Sequence, residues 1–202
     1  MVELECFHGT TLEFAQSILR EGFRPSIDQE GLRLGVGAYF FGKGTKSDYG
    51  IECAREIERY HFAHGKHKGK YAILSCTVKC NDDQFFDMYK PDYMETFHRM
   101  RYKLYQERIE RDPLFKFPRA EVADTITMDF IRKIQDVAIV QCPQFFGMFM
   151  KEKDFRMDKR HPQPKTMVPN VLMICADCNK AIIDNVVMIE EGDFDDESRY
   201  SI

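Results

Sequence analysis

The pattern of apolar and polar positions switches from strand to helix within the first two dozen residues. VELECF (2–7) reads as a strand, and residues 11–21 read as a helix in which Leu12, Ala15, Ile18 and Leu19 recur at helical spacing to form one apolar face. Thr10 and Glu13 have the spacing of a capping box, Arg20 falls in the last turn, and Gly22 is placed to end the helix in a left-handed conformation. A second helix is expected over 47–63, with Ile51, Ala54, Ile57 and Tyr60 on one side. YAILSCTV (71–78) reads as a buried strand. A long amphipathic helix follows over 92–111, its Tyr93, Phe97, Met100 and Leu104 in one stripe. Further strands are expected over 136–142, 168–175 and 182–190, with Pro143, Pro162, Pro164 and Pro169 punctuating the loops between them. Helices fall mostly early and strands late, without strict βαβ alternation. The pattern therefore predicts an α+β fold with a split, mostly antiparallel sheet and helices packed around it, not a doubly wound nucleotide fold.

Composition narrows the class. The chain has 202 residues, 44% of them hydrophobic, which fits one domain over 1–192 with a helical insertion near 90–112 and an acidic, frayed tail over 193–202. A net charge of −4 gives no general pull toward nucleic acid or acidic membrane. No apolar run approaches the roughly 20 residues that span a bilayer, and MVELECFHG does not read as a signal peptide. A cytoplasmic protein with no membrane partner is expected. The seven cysteines (Cys6, Cys53, Cys76, Cys80, Cys142, Cys175 and Cys178) are odd in number and sit in strand-like contexts, which predicts free thiols. Cys175-x-x-Cys178 lacks the second CxxC of a zinc ribbon. The triplet spacing of His61, His64 and His67 is interrupted by Gly65 and Gly69, so no metal is expected. Lys66, Lys68 and Lys70 read as a solvated loop, and Arg99, Arg101, Lys103 and Arg108 as the wet face of the long helix.

Two stretches carry candidate chemistry. His8 and Gly9 are expected at a strand-to-helix corner on the rim of a sheet, where side chains can meet a ligand. The bland alternative is a core histidine satisfied by a backbone group. Residues 35–50, GVGAYFFGKGTKSDYG, place Gly35, Gly37, Gly42 and Gly44 around a short aromatic strand, with Ser47 as helix cap and Asp48 in the first turn. Flexible glycines allow close approach to a flat ligand, and a helix N-terminus favours anions such as a pyrophosphate. The spacing fits neither G-x-x-x-x-G-K-[ST] nor G-x-G-x-x-G. A glycine hairpin beside a core aromatic is the bland alternative here.

Together, H-G-T before a helix and a later G-x-G-x-Y-F-F with K-S-x-Y resemble the catalytic domain of the ADP-ribosyltransferases, most closely the poly(ADP-ribose) polymerase-like, diphtheria-toxin-like branch. The resemblance is clearest over residues 4–50. It implies an NAD+ cleft in a split sheet and NAD+ as co-substrate. In this sequence it implies a ribose-binding and catalytic role for His8, carboxamide contacts from Gly9 and Ser47, and a stacking and catalytic role for Tyr39. Thr10 belongs to the same NAD+-binding motif, and Tyr49 would be a second stacking ring, one residue earlier than the family pattern. The family's late-strand glutamate is missing: the matching positions read Val171 or Met173, with Asn170 before them. Glu121, Asp124 and Asp177 are candidate replacements. A mono-ADP-ribosyltransferase without that glutamate is the favoured reading, modifying a protein or nucleic-acid acceptor, as a toxin or defence effector with an antitoxin or regulatory partner. A degenerate NAD+- or ADP-ribose-binding module and an NAD+-dependent RNA 2′-phosphotransferase are the alternatives. Acceptor choice is assigned to loops within 81–135 and 143–167.

Overall fold

A computed structural model describes residues 1–26, 33–43, 48–116, 120–144 and 171–193. In chain order the elements are β1 (Val2–Thr11), α1 (Leu12–Glu21), β2 (Ala38–Phe41), α2 (Tyr49–Ala63), β3 (Lys70–Cys80), β4 (Phe85–Asp87), α3 (Pro91–Arg111), α4 (Ala120–Gln135), β5 (Ile139–Gln144), β6 (Val171–Ala176) and β7 (Ile182–Asp193). The strands form one sheet in the order β4-β5-β6-β2-β1-β3-β7. All neighbours are antiparallel except β4 and β5. The class is α+β with a mostly antiparallel sheet, as the pattern predicts.

The sheet is nearly cut in two. β1 and β3 pair continuously from Val2↔Cys80 to Thr11↔Tyr71, whereas β1 and β2 share, among the described residues, the single position Phe7↔Phe41. Each half is thus well laddered inside and joined to the other by one rung. Alternate residues point to opposite faces, and that rule sorts the core. On one face, Cys6, Cys76 and Val78 from one half meet Ala38, Phe40, Ile139 and Ile174 from the other. The two halves therefore fold their inner faces together, and α1 seals the flank by setting Ala15 on Ala72 and Leu74. On the opposite face α2 covers Phe7, Phe41, Tyr71 and Ile73, while α3 and α4 bring Phe97, Met128 and Ile131 onto Val140 and Cys175. Ile73, Leu74, Val78 and Ile139 have no exposed surface, and burial of each contributes roughly 1.5–3 kcal/mol.

Several expectations change. β1 does not stop at Phe7. Its ladder with β3 carries the strand through His8 and Gly9 to Thr11, so His8 lies within a strand, not at a corner. The N-cap of α1 is accordingly Thr11, whose hydroxyl accepts from the Phe14 amide at 3.3 Å, and Thr10 is a buried strand residue. Gly22 ends α1 at positive φ, its amide on the Ile18 carbonyl at 2.8 Å, as expected. β5 runs through Pro143. β4 ends opposite Gln141, so among the described residues Pro143 is flanked by a strand on one side only, a position that tolerates a residue without an N–H. In α2 the buried side is Gly50, Cys53, Ala54 and Glu58, and Tyr60 is exposed. The helix α4 and the short strand β4 were not expected. Phe97 of α3 is buried with Phe86 and Met128. Every described cysteine is a free thiol. No described helix is long and apolar enough to cross a membrane. The tail beyond Asp193 lies outside the described residues.

Candidate functional site

His8 stands just past the rung that joins the half-sheets. Its Nδ1 lies 2.8 Å from the Tyr39 carbonyl oxygen. A carbonyl only accepts, so Nδ1 holds the proton, and the neutral ring presents the lone pair of Nε2. Phe23 meets the imidazole edge-on at 5.2 Å and Phe40 lies tilted at 5.8 Å, which fixes the ring plane. Burial lowers the pKa of His8; the hydrogen bond to Tyr39 and the charge of Glu58 oppose that shift without cancelling it. The ring is neutral near pH 7 and acts there as an acceptor.

The depressed pKa has a consequence for stability. The unfolded chain takes up a proton near the ordinary histidine value of about 6.5, while the folded protein resists it. Stability contributed by neutral His8 is therefore complete above that value and declines as pH falls through the window below it. The urea midpoint of the wild type is expected to drop between pH 7.5 and pH 5.5 more steeply than that of His8→Gln, with pH values set about one unit either side of the unfolded pKa. Parallel profiles would show that His8 is not the group responsible.

The other expected site residues are placed as follows. Tyr39 gives His8 its backbone carbonyl, not its ring. Phe40, which faces the imidazole, belongs to the inner-face cluster, and Tyr39 projects to the opposite face against the cluster of Leu34, Met128 and Cys175. Its hydroxyl accepts from the Leu34 amide at 2.9 Å and donates to the Gly35 carbonyl at 2.8 Å. Burial raises its pKa far beyond the ordinary phenol range. The phenol of Tyr39 is thus a pin for the glycine loop. Gly9 lies beneath α2: a Cβ there would sit 2.0 Å from the Ala54 carbonyl oxygen. The glycine is what lets helix and strand touch. Tyr49 is buried in the cluster of Phe7, Phe41, Cys53 and Val171. Ser47, with Gly44, lies outside the described residues.

The glycine loop is held from a helix that the sequence did not advertise. Asp129 of α4 accepts from the Val36 amide at 2.8 Å, and a Cβ on Gly35, which has φ +88°, would strike that carboxylate. Arg132 donates to the Val36 carbonyl at 2.7 Å and to the Cys175 carbonyl at 2.9 Å. The amides of Leu34 and Val36 are therefore already engaged, by the Tyr39 hydroxyl and the Asp129 carboxylate.

The three acids offered in place of the missing strand glutamate each have a partner away from β6 or in its turn. β6 reads Val-Leu-Met-Ile-Cys-Ala, with Val171 buried and Met173 packed beside it. Glu121 pairs with Arg33 at 3.5 Å, and Asp124 with Arg101 at 2.8 Å. Asp177 accepts from the Asn179 amide in the turn after β6. The buried carboxylate that reaches β1 is one that was passed over, Glu58, whose Cγ would lie 2.9 Å from a Cβ on Gly9. Its one signal in the sequence is the four-residue step from Ala54, which puts it on the apolar side of α2. A cleft of about 600 Å³ opens beyond the Phe7–Phe41 rung from His8, lined by Glu5, Lys43, Ser75, Thr77, Gln141 and Asn185 among others. Comparison with family models, with curated proteins and with solved structures produced no match to this chain.

Proposed function

We propose that the protein is an NAD+-dependent mono-ADP-ribosyltransferase that transfers ADP-ribose to a protein or nucleic-acid acceptor. One observation carries the reading: His8 is wedged where β1 and β2 part, with Nδ1 tied to the Tyr39 carbonyl. An imidazole fixed in this way offers Nε2 as an acceptor for a ribose hydroxyl. The His-Gly-Thr and Gly-x-Tyr-Phe-Phe motifs that prompt the reading flank the same seam. In the reaction the acceptor nucleophile attacks C1′ of the nicotinamide ribose and forms the new bond there. The C1′–N bond breaks, its electron pair leaves with neutral nicotinamide, and the acceptor's proton passes to solvent or to a base. The transition state resembles an oxocarbenium ion, as in glycoside cleavage. A hydroxyl whose proton is held by His8 keeps electron density near the developing positive charge.

Incubation of the protein with NAD+ labelled in its adenylate half and a cell lysate is expected to move label to macromolecules and release nicotinamide. His8→Ala should lower that transfer by about 100-fold, the scale of losing one well-placed hydrogen-bonding group. Equal labelling by both proteins would remove His8 from the site, and no labelling by either would remove the reaction.

The acid-free β6 favours a second reading, a module that binds NAD+ or ADP-ribose without turnover. Calorimetry showing saturable NAD+ binding with no nicotinamide release selects this reading over the first.

A further inference from the structure

We propose that Glu58, His61 and His67 form a binding site for a divalent transition-metal ion of the zinc class. Their ligand atoms all lie within 4.8 Å of one another. Glu58 Oε2 is 2.6 Å from His67 Nδ1, and Glu58 Oε1 is 3.4 Å from His61 Nδ1. In a tetrahedral site with bonds of about 2.0–2.1 Å the donors stand about 3.3 Å apart. The two carboxylate-to-imidazole separations, 2.6 and 3.4 Å, lie on either side of that value.

Three features show that the cluster is built. The Glu58 side chain is 2% exposed, and a buried carboxylate requires a compensating cation, either an imidazolium or a metal. His61 Nδ1 is itself buried and faces Glu58 Oε1 at 3.4 Å in a pairing that falls short of hydrogen-bond geometry, so its ring nitrogen is aimed into the cluster without a well-formed hydrogen bond. The loop that delivers His67 is also tied back: the Lys66 and His67 amides both donate to the His61 carbonyl, at 2.8 and 3.3 Å. Gly65 and Gly69, at φ +69° and +77°, make the turns this requires. The glycines that seemed to interrupt a histidine stripe are what fold it onto Glu58. His64 is turned away, stacked on Tyr60 with ring centroids 3.9 Å apart and its Nδ1 on the Tyr60 carbonyl.

Two imidazoles and one carboxylate suit zinc, with a further position open to water. The histidine side chains are 29% and 22% exposed, so an ion can enter from solvent. A bound ion would lock the C-terminal turn of α2 to its loop, on the opposite face of β1 from His8. The inference does not depend on the proposed transfer reaction.

The full chain, stripped with a chelator and kept reduced, is titrated with Co2+ and then with Zn2+. One equivalent of Co2+ is expected to give visible d–d bands without a thiolate charge-transfer band, and Zn2+ should displace it. His67→Ala and His61→Ala should weaken Co2+ binding by at least about 100-fold, since each removes a ligand where loss of a supporting contact alone gives 10–100-fold. His64→Ala should bind as the wild type does. Circular dichroism on each variant establishes that the fold is retained. Absence of saturable binding, equal binding by folded His67→Ala, or a thiolate-to-cobalt band that moves the ion to cysteine would each overturn the site.

Discussion

Gly9→Ala is expected to cost about 3 kcal/mol of unfolding free energy, at the upper end of what overpacking a tight interior costs. Gly9 has ordinary extended φ, so strain in the backbone of the variant is not the cause. The cause is the added methyl group, which would stand 2.0 Å from the Ala54 oxygen and 2.8 Å from the Ala54 carbonyl carbon. Both are helix backbone and cannot swing aside. Glu58 Cγ, at 2.9 Å, is side chain and can. The helix must lift from the strand, taking the contacts of Cys53 and Ala54 with Phe7 and Ile73 with it. Urea unfolding measures the change, and a loss under about 0.5 kcal/mol, the range of an indifferent surface substitution, would mean that α2 does not sit on Gly9 as described.

Arg132→Met is expected to cost about 2–4 kcal/mol. The substitution keeps an unbranched apolar stem of similar reach and removes only the guanidinium. Two carbonyl oxygens, of Val36 and Cys175, lose charged donors at 2.7 and 2.9 Å. A charge-assisted hydrogen bond contributes about 1.5–3 kcal/mol, and stranded buried acceptors retain their desolvation cost. Arg132 is 6% exposed, so water does not readily take its place. The loop through Gly35 should loosen with it, because its remaining polar ties to α4 are the Val36 amide on Asp129 and the exposed Arg33–Glu121 pair. Urea unfolding and the proteolytic sensitivity of that loop report the two effects. An unchanged midpoint would assign the tie between α4 and the loop to apolar packing instead.

Much of this fold was readable because its strongest signals are periodic. α1, α3, β3 and β7 follow the spacing of their apolar residues, α2 forms where expected but buries a different side, and Gly22 marks its helix end through its φ. α4 escaped because AEVADTITMDFIRKIQ interleaves threonine and β-branched residues with its apolar positions and begins without a described cap. Thr125 and Thr127 are buried there with their hydroxyls bonded back to the Glu121 and Ala123 carbonyls. β4 is three residues long and exists through its pairing with β5, which no local pattern encodes. The placement of His8 inside β1 was not legible, because only the ladder with β3 carries the strand past Phe7. Gly9 looked like punctuation, whereas its glycine serves a helix that packs across it from forty-five positions later in the chain. Tyr49 and Tyr39 illustrate the same limit. A ring beside glycines can stack on a ligand or fill a core, and the choice depends on which face the strand turns outward. Glu58, His61 and His67 lie together where spacing alone does not place them, because a glycine turn and not a helix brings the last of them onto Glu58.

The lone rung between Phe7 and Phe41 makes the molecule a book with a very short spine. Backbone groups along the parted margins must find partners other than a strand, and the imidazole of His8 already serves one of them. A ligand laid into that gutter would touch both leaves and stitch them where the chain does not. Its affinity and the protein's resistance to opening would then rise together, as two readings of a single free energy.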